Sequence, residues 1–237
     1  MTSHLIKVFE RVVRQALVTH IDKLQLIPEG QHGSRSRRST LTQLLSHWDN
    51  ILEDLEKGEG VDCVYLDFSN AFDKVKTGVL LHKLQHGKIL GKVGCWLVAF
   101  LDSTNWQQAM VVSRRISDLS PVISGVPQGT VLGPILFLLH ISDIARDVSP
   151  GTTTSSYVDD TCDNRTVTDP DVDCQALQED LVSRYRWAED VNMMFNSDKF
   201  ECIRFWPGKT PKPENEYLSP DQTPIETPER FRFGDHQ

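Results

Sequence analysis

Val64-Tyr-Leu-Asp67-Phe-Ser-Asn-Ala-Phe72-Asp73 sets a carboxylate at the end of an apolar run, and the fold is read outward from it. Val61 to Leu66 has the length and content of a buried strand, so Asp67 stands at its tip. A second such run ends in Tyr157-Val-Asp159-Asp160. Between them lies Ser124-Gly-Val-Pro-Gln128-Gly129-Thr-Val-Leu-Gly-Pro134. Carboxylates at the ends of neighbouring strands are what a site for two divalent cations needs, with ions roughly 3.5–4 Å apart. Asp159-Asp160 taken alone is equally well an ordinary polar hairpin turn.

Around these stretches the periodicity alternates between helix and strand. Leu5, Val8, Phe9, Val12, Val13, Ala16 and Leu17 share one helical face, and Leu41, Leu44, Leu45, Trp48, Ile51, Leu52 and Leu55 share another. Helices are expected around Gly78–His86 and Lys92–Leu101, and a hairpin from Gln107–Ser113 and Arg115–Ile123. A buried helix should start at Pro134, where a missing N–H costs nothing. Ser155–Tyr157 and Cys162–Val167 read as strands of a hairpin turning at Asp159-Asp160, followed by a helix over Val172–Asp190 and a strand at Cys202–Trp206. This pattern predicts an α+β fold, helices behind a small antiparallel sheet. Three regions follow: a helical part over 1–60, the sheet-bearing part over 61–206, and a proline-rich polar tail over 207–237, expected to be extended or disordered.

With 237 residues the chain can bury a real core. It has no run of about 18 apolar residues and no signal-peptide pattern, so an intracellular protein, nuclear or cytoplasmic, is expected, with no membrane partner. Five cysteines without Cys-x-x-Cys spacing argue against zinc and against a disulfide framework, and the histidines show no ligand spacing. The net charge is −8, yet residues 1–48 carry +4 and Asp159 to Glu201 carry −8. A polyanion would meet the first of these more readily than the second.

The three stretches, in this order, resemble the palm of a reverse transcriptase, specifically that of non-LTR (LINE-like) retrotransposons. Gln31-His-Gly, Arg38-Ser-Thr, Phe137-Leu-Leu-His-Ile-Ser-Asp143 and Phe195-Asn-Ser-Asp-Lys199 extend the likeness over most of the chain. It implies a polymerase palm with partial fingers, the remaining fingers, the thumb and an endonuclease belonging to a longer polyprotein. It implies an RNA-directed DNA polymerase, a nucleotidyltransferase working with an RNA template, a DNA primer, deoxynucleoside triphosphates and two Mg²⁺ ions, with Mn²⁺ as a substitute. The alternative is an inactive retroelement-derived remnant that at most binds nucleic acid or protein.

By that resemblance Asp67 and Asp159 ligate both cations, Asp160 is a weaker or outer ligand, and the carbonyl of Phe68 reaches a metal. Lys199 protonates the leaving pyrophosphate, or is a solvated surface lysine. Ala71 lets its backbone approach the nucleotide, and Phe72 packs under the sugar and excludes a 2′-hydroxyl, unless it is simply core. Gln128 and Gly129 belong to a loop that meets the incoming nucleotide. Arg35, Arg37 and Arg38 suit phosphates of template or primer, or form a solvated basic loop. Asp73 is either part of the site or a helix cap.

Overall fold

The computed structural model describes residues 4–35, 38–102, 106–109, 111–112, 115–122, 124–207 and 213–227. The chain forms two units, Met1–Pro28 with Asn70–Asp143, and Glu29–Ser69 with Ile144–Gln237.

The second unit holds the sheet. Strand β1 (Gly60–Leu66) lies between β7 (Asp160–Val167) and β8 (Glu201–Phe205), and β6 (Thr152–Tyr157) extends the sheet beyond β7. All pairings are antiparallel. Because β1 is central and covered on both sides, it reads as a continuous apolar run rather than an alternating one. Val64 and Leu66 point to α7 (Pro170–Val191), packing with Leu177, Leu181, Tyr185 and Phe200. Cys63 and Tyr65 point the other way, to α2 (Thr40–Glu56), where Ile51 and Trp48 meet Cys162 and Phe205.

Both helices begin on side-chain caps. Ser39 accepts from the Thr42 N–H, and Thr42 Oγ1 accepts in return from the Ser39 N–H, satisfying two donors at the start of α2. Asp169 accepts from Asp171 and Val172 at the start of α7, with Pro170 in the first turn. Charged pairs also join the sheet to α7, Arg165 with Asp173 and Arg184 with Asp163. Arg184 grips Asp163 with two hydrogen bonds, 2.9 and 2.6 Å, and both side chains are fully buried.

The tail departs from the expectation of disorder. Over 213–227 it packs against the α7 face, burying Tyr217, Ser219 and Ile225. Tyr217 donates to Asp62 Oδ2 at 2.6 Å, the oxygen that also meets Arg204 Nε at 3.2 Å. Polar composition misled here, because a few spaced apolar anchors suffice to seat an extended strap. Residues 208–212 and 228–237 lie outside the described residues.

The first unit is helical apart from two short ladders. It contains α1 (His4–Leu24), α3 (Ala71–Lys74), α4 (Thr77–His86), α5 (Gly91–Leu101) and α6 (Gly133–His140). The expected hairpin is present in two pieces, β2 (Gln107–Gln108) with β5 (Ser120–Pro121) and β3 (Val111–Val112) with β4 (Arg115–Ile116); Ser113 and Ile123 lie outside the described residues. Helix α6 is buried throughout, as its unbroken apolar content implied. The start of α6 is met by Glu10, whose Oε2 accepts from the N–H groups of Val131 and Leu132 at 2.6 and 3.1 Å.

The apolar stripes of α1 and α2 are only partly used. Val13 and Leu17 are buried on α1, but Leu5, Val8, Phe9 and Val12 are exposed; on α2 Ile51 is buried while Leu41, Leu44, Leu45 and Leu52 are exposed. Periodicity identified the helices correctly and overstated the width of their buried faces.

Candidate catalytic site

Strand β1 ends at Leu66, so Asp67 stands just past the strand. The neighbouring β6–β7 hairpin pairs Tyr157 with Asp160, leaving Val158 and Asp159 as its two-residue turn. The turn is thus one residue earlier than expected, and Asp160 opens β7. The register places Leu66 opposite Thr161, which brings the tip of β1 beside this turn.

Proximity is visible in the acidities. Burial first, then the charges of Asp160 and Asp67, push the Asp159 carboxyl above the ordinary carboxylate range. Asp160 is raised likewise, by burial and then Asp67. Three carboxylates that disfavour one another's charge form a site that gains by taking up cations.

Asp67 supplies a further sign. Its Oδ2 is buried. Lys199 Nζ forms an ion pair with it at 2.8 Å, from the end of the short 3-10 helix Ser197–Lys199. The lysine side chain is 63% exposed, so it contributes charge without filling the site. Clustered hard carboxylate oxygens fit Mg²⁺ or Mn²⁺.

Phe68 is fixed by a bridge to Phe195. Ser69 N–H donates to Met194 O at 2.8 Å and Asn196 N–H to Asp67 O at 2.9 Å. This is the non-hydrogen-bonded antiparallel pair, so the Phe68 carbonyl points away from Phe195. The two rings stack at 4.3 Å.

Gln31, quoted only as a flanking residue, proves to be part of the hairpin. Its side-chain amide donates to Val158 O and accepts from Val158 N, both at 2.9 Å, and accepts again from Gly33 N at 2.8 Å. Arg35 reaches the Gln31 carbonyl at 3.5 Å, and Arg38 reaches Glu29 O and, at 3.0 Å, His32. These arginines brace their own loop. Arg37 lies outside the described residues.

The remaining expected residues belong to the helical unit. Ala71 is buried in α3, and Phe72 stacks on Phe137 of α6 at 4.3 Å. The Ser124–Gly129 loop is knitted to this segment. Val126 N–H donates to Phe72 O, Gly125 N–H to Val75 O, and Gln128 Nε2 to Asp73 Oδ1 at 2.6 Å. Asp73 therefore caps nothing; it holds Gln128. Within the loop the backbone is crowded at Gly125, where a Cβ would meet Phe72 O at 2.8 Å. Gly129 faces open space, and its φ of +73° is what requires glycine there.

The sequence model of the reverse transcriptase (RNA-dependent DNA polymerase) family matches residues 1–226. The chain belongs to that family. It is 31% identical over 208 residues to the RNA-directed DNA polymerase from mobile element jockey of Drosophila melanogaster, covering 84% of this chain and 22% of that protein. It is 28% identical over 232 residues to the probable RNA-directed DNA polymerase from transposon X-element of the same organism, covering 96% and 25%. This reverse transcriptase chain is thus of LINE-like retrotransposon lineage and spans at most a quarter of those relatives' length. Its fold is shared with apo telomerase from Candida tropicalis truncated from its C-terminal domain, with a TM-score of 0.61 at 14% identity over 84% of this chain and 41% of the other. No helix among the described residues is long and apolar enough to cross a membrane.

Proposed function

We propose that this chain carries the catalytic palm of an RNA-directed DNA polymerase, joining deoxynucleotides to a primer 3′-hydroxyl on an RNA template. The observation that carries the reading is the set Asp67, Asp159 and Asp160 at adjacent strand ends, with a buried Asp67 oxygen faced by an exposed lysine. Asp67 and Asp159 are the principal ligands, Asp160 and the Phe68 carbonyl the outer ones. Two divalent cations bound by these groups would supply Lewis acidity toward the primer hydroxyl and offset the charge of the pyrophosphate.

The other roles belong to this chain's own side chains. Lys199 keeps a proton on Nζ, and its place beside Asp67 raises its affinity for that proton. Such an ammonium can pass the proton to a departing phosphate. Phe72, stiffened by Phe137, blocks a ribose 2′-hydroxyl. Gln128, steadied by Asp73, meets the nucleotide, and Arg35, Arg37 and Arg38 take phosphates. In regions, 1–60 is partial fingers and 61–206 palm.

Primer extension on an RNA template with Mg²⁺ tests this, comparing the chain with Asp159→Asn. Incorporation confined to the unaltered chain is expected. Absence in both, with native circular dichroism, would leave the non-catalytic remnant.

A further inference from the structure

The middle of the same ladder, on the face that α2 covers, carries donors of a different kind. His47 of α2, Cys63 of β1 and Cys162 of β7 are all buried, and their donor atoms lie within 4.8 Å of one another. The register accounts for the meeting. Cys63 pairs with Asn164 and Tyr65 with Cys162, so the two cysteines are diagonal neighbours on the face that α2 covers. Ring contacts of His47 with Trp48 and Tyr65 hold the imidazole over that diagonal.

We propose that His47, Cys63 and Cys162 bind a single Zn²⁺-type ion that ties α2 to the two central strands. Two thiolates and an imidazole are borderline-to-soft donors, which favour Zn²⁺ over Mg²⁺ by ligand type. The carboxylates beyond the strand ends have the opposite preference, so one sheet sorts two kinds of cation. With Zn–S near 2.3 Å and Zn–N near 2.0–2.1 Å, a tetrahedral site needs its donors about 3.5–3.8 Å apart. A spread of at most 4.8 Å closes to that by side-chain adjustment of about 1 Å.

The surroundings also suit a metal. His47 Nε2 lies 3.0 Å from the Tyr65 hydroxyl and Nδ1 3.3 Å from Asn164 Nδ2. One nitrogen can turn to the metal while the other keeps its partner, the arrangement that orients a ligating histidine. Without a metal the Cys162 thiol donates to Asn164 Oδ1 at 2.9 Å, a bond given up when the thiolate turns to the ion. Three protein ligands leave the fourth position to water or the Tyr65 hydroxyl.

The test uses the full chain, purified under reductant, stripped by a chelator and titrated with Co²⁺. A near-ultraviolet thiolate-to-cobalt band saturating at one equivalent is expected, abolished by Zn²⁺ and untouched by millimolar Mg²⁺. Zn²⁺ at a hundredfold excess over Kd should raise Tm by about 5 °C or more. The double variant Cys63→Ser, Cys162→Ser should lose the band, and Cys95→Ser, whose thiol is exposed, should keep it. X-ray absorption on the Zn²⁺-loaded native chain needs no variant and should show two sulfurs. A cobalt spectrum without sulfur charge transfer, an unchanged band in the double variant, or a zinc shell of oxygen and nitrogen alone overturns the proposal. None of these readouts depends on polymerase activity.

Discussion

Gln31 and Val158 are joined by two reciprocal hydrogen bonds of 2.9 Å, so the glutamine amide serves as a peptide partner for the hairpin turn. Val158 has φ of +61°, a conformation that a β-branched residue adopts only under constraint. Such a residue costs about 1–3 kcal/mol and persists only when its neighbours hold it. Its neighbour Asp159 is thereby aimed.

Gln31→Ala removes three hydrogen bonds, including that from Gly33, and leaves the Val158 peptide unpaired. A stability loss of about 2–4 kcal/mol is expected at roughly 1 kcal/mol per bond, read as a lower urea midpoint. Adding Val158→Gly should recover part of it, because glycine accepts positive φ freely. No recovery would mean that the turn is unstrained.

Asp159 and Asp160 make the stability depend on pH in a defined direction. Both are raised in the folded state, by burial first and by neighbouring carboxylates second. The folded chain therefore holds these protons more tightly than the unfolded chain. That contribution is complete below the ordinary value of 3.8 and is lost as pH rises through the raised folded values. Asp159→Asn should consequently raise Tm at pH 7 and change it little near pH 3. Mg²⁺ should raise the Tm of the unaltered chain at pH 7 more than that of the variant.

Phe72→Val shortens the ring that stacks on Phe137. If Phe72 guards against ribose, the ratio of kcat/KM for deoxy- over ribonucleotides should fall by about 10- to 100-fold, a difference of about 1–3 kcal/mol. An unchanged ratio with a lower Tm would make Phe72 a packing residue only.

The C-terminal strap is tested by Tyr217→Ala. Tyr217 is 1% exposed, bonded to Asp62 and covered by the Arg204 guanidinium. A loss of about 3–5 kcal/mol is expected, as for other large buried aromatics. Were the strap merely a loose tail, calorimetry would show no change.

Much of this was legible beforehand, for identifiable reasons. Strand β1 and helix α6 announced themselves because burial demands largely apolar sequence, with Asp62 the charged exception in β1. Asp67, Asp159 and Asp160 were legible because each sits within a motif of several residues. What stayed hidden is contact between distant positions. Nothing local at Gln31 shows that its amide meets Val158, and nothing in the spacing of His47, Cys63 and Cys162 shows a diagonal across two strands. Nothing local shows that Gly125 abuts Phe72, because that contact joins two segments far apart in sequence. The strap was missed since Tyr217 and Ile225 are isolated in polar text, with no period to betray them.

The ion pair between Lys199 and Asp67 turns cation uptake into an exchange. An arriving divalent ion meets an oxygen already screened by an ammonium, and must evict it from 2.8 Å away. The displaced side chain rides on a flexible four-carbon stem and is set loose only when its place is taken. Metal occupancy would thus arm the proton donor, so a half-assembled centre keeps its acid parked.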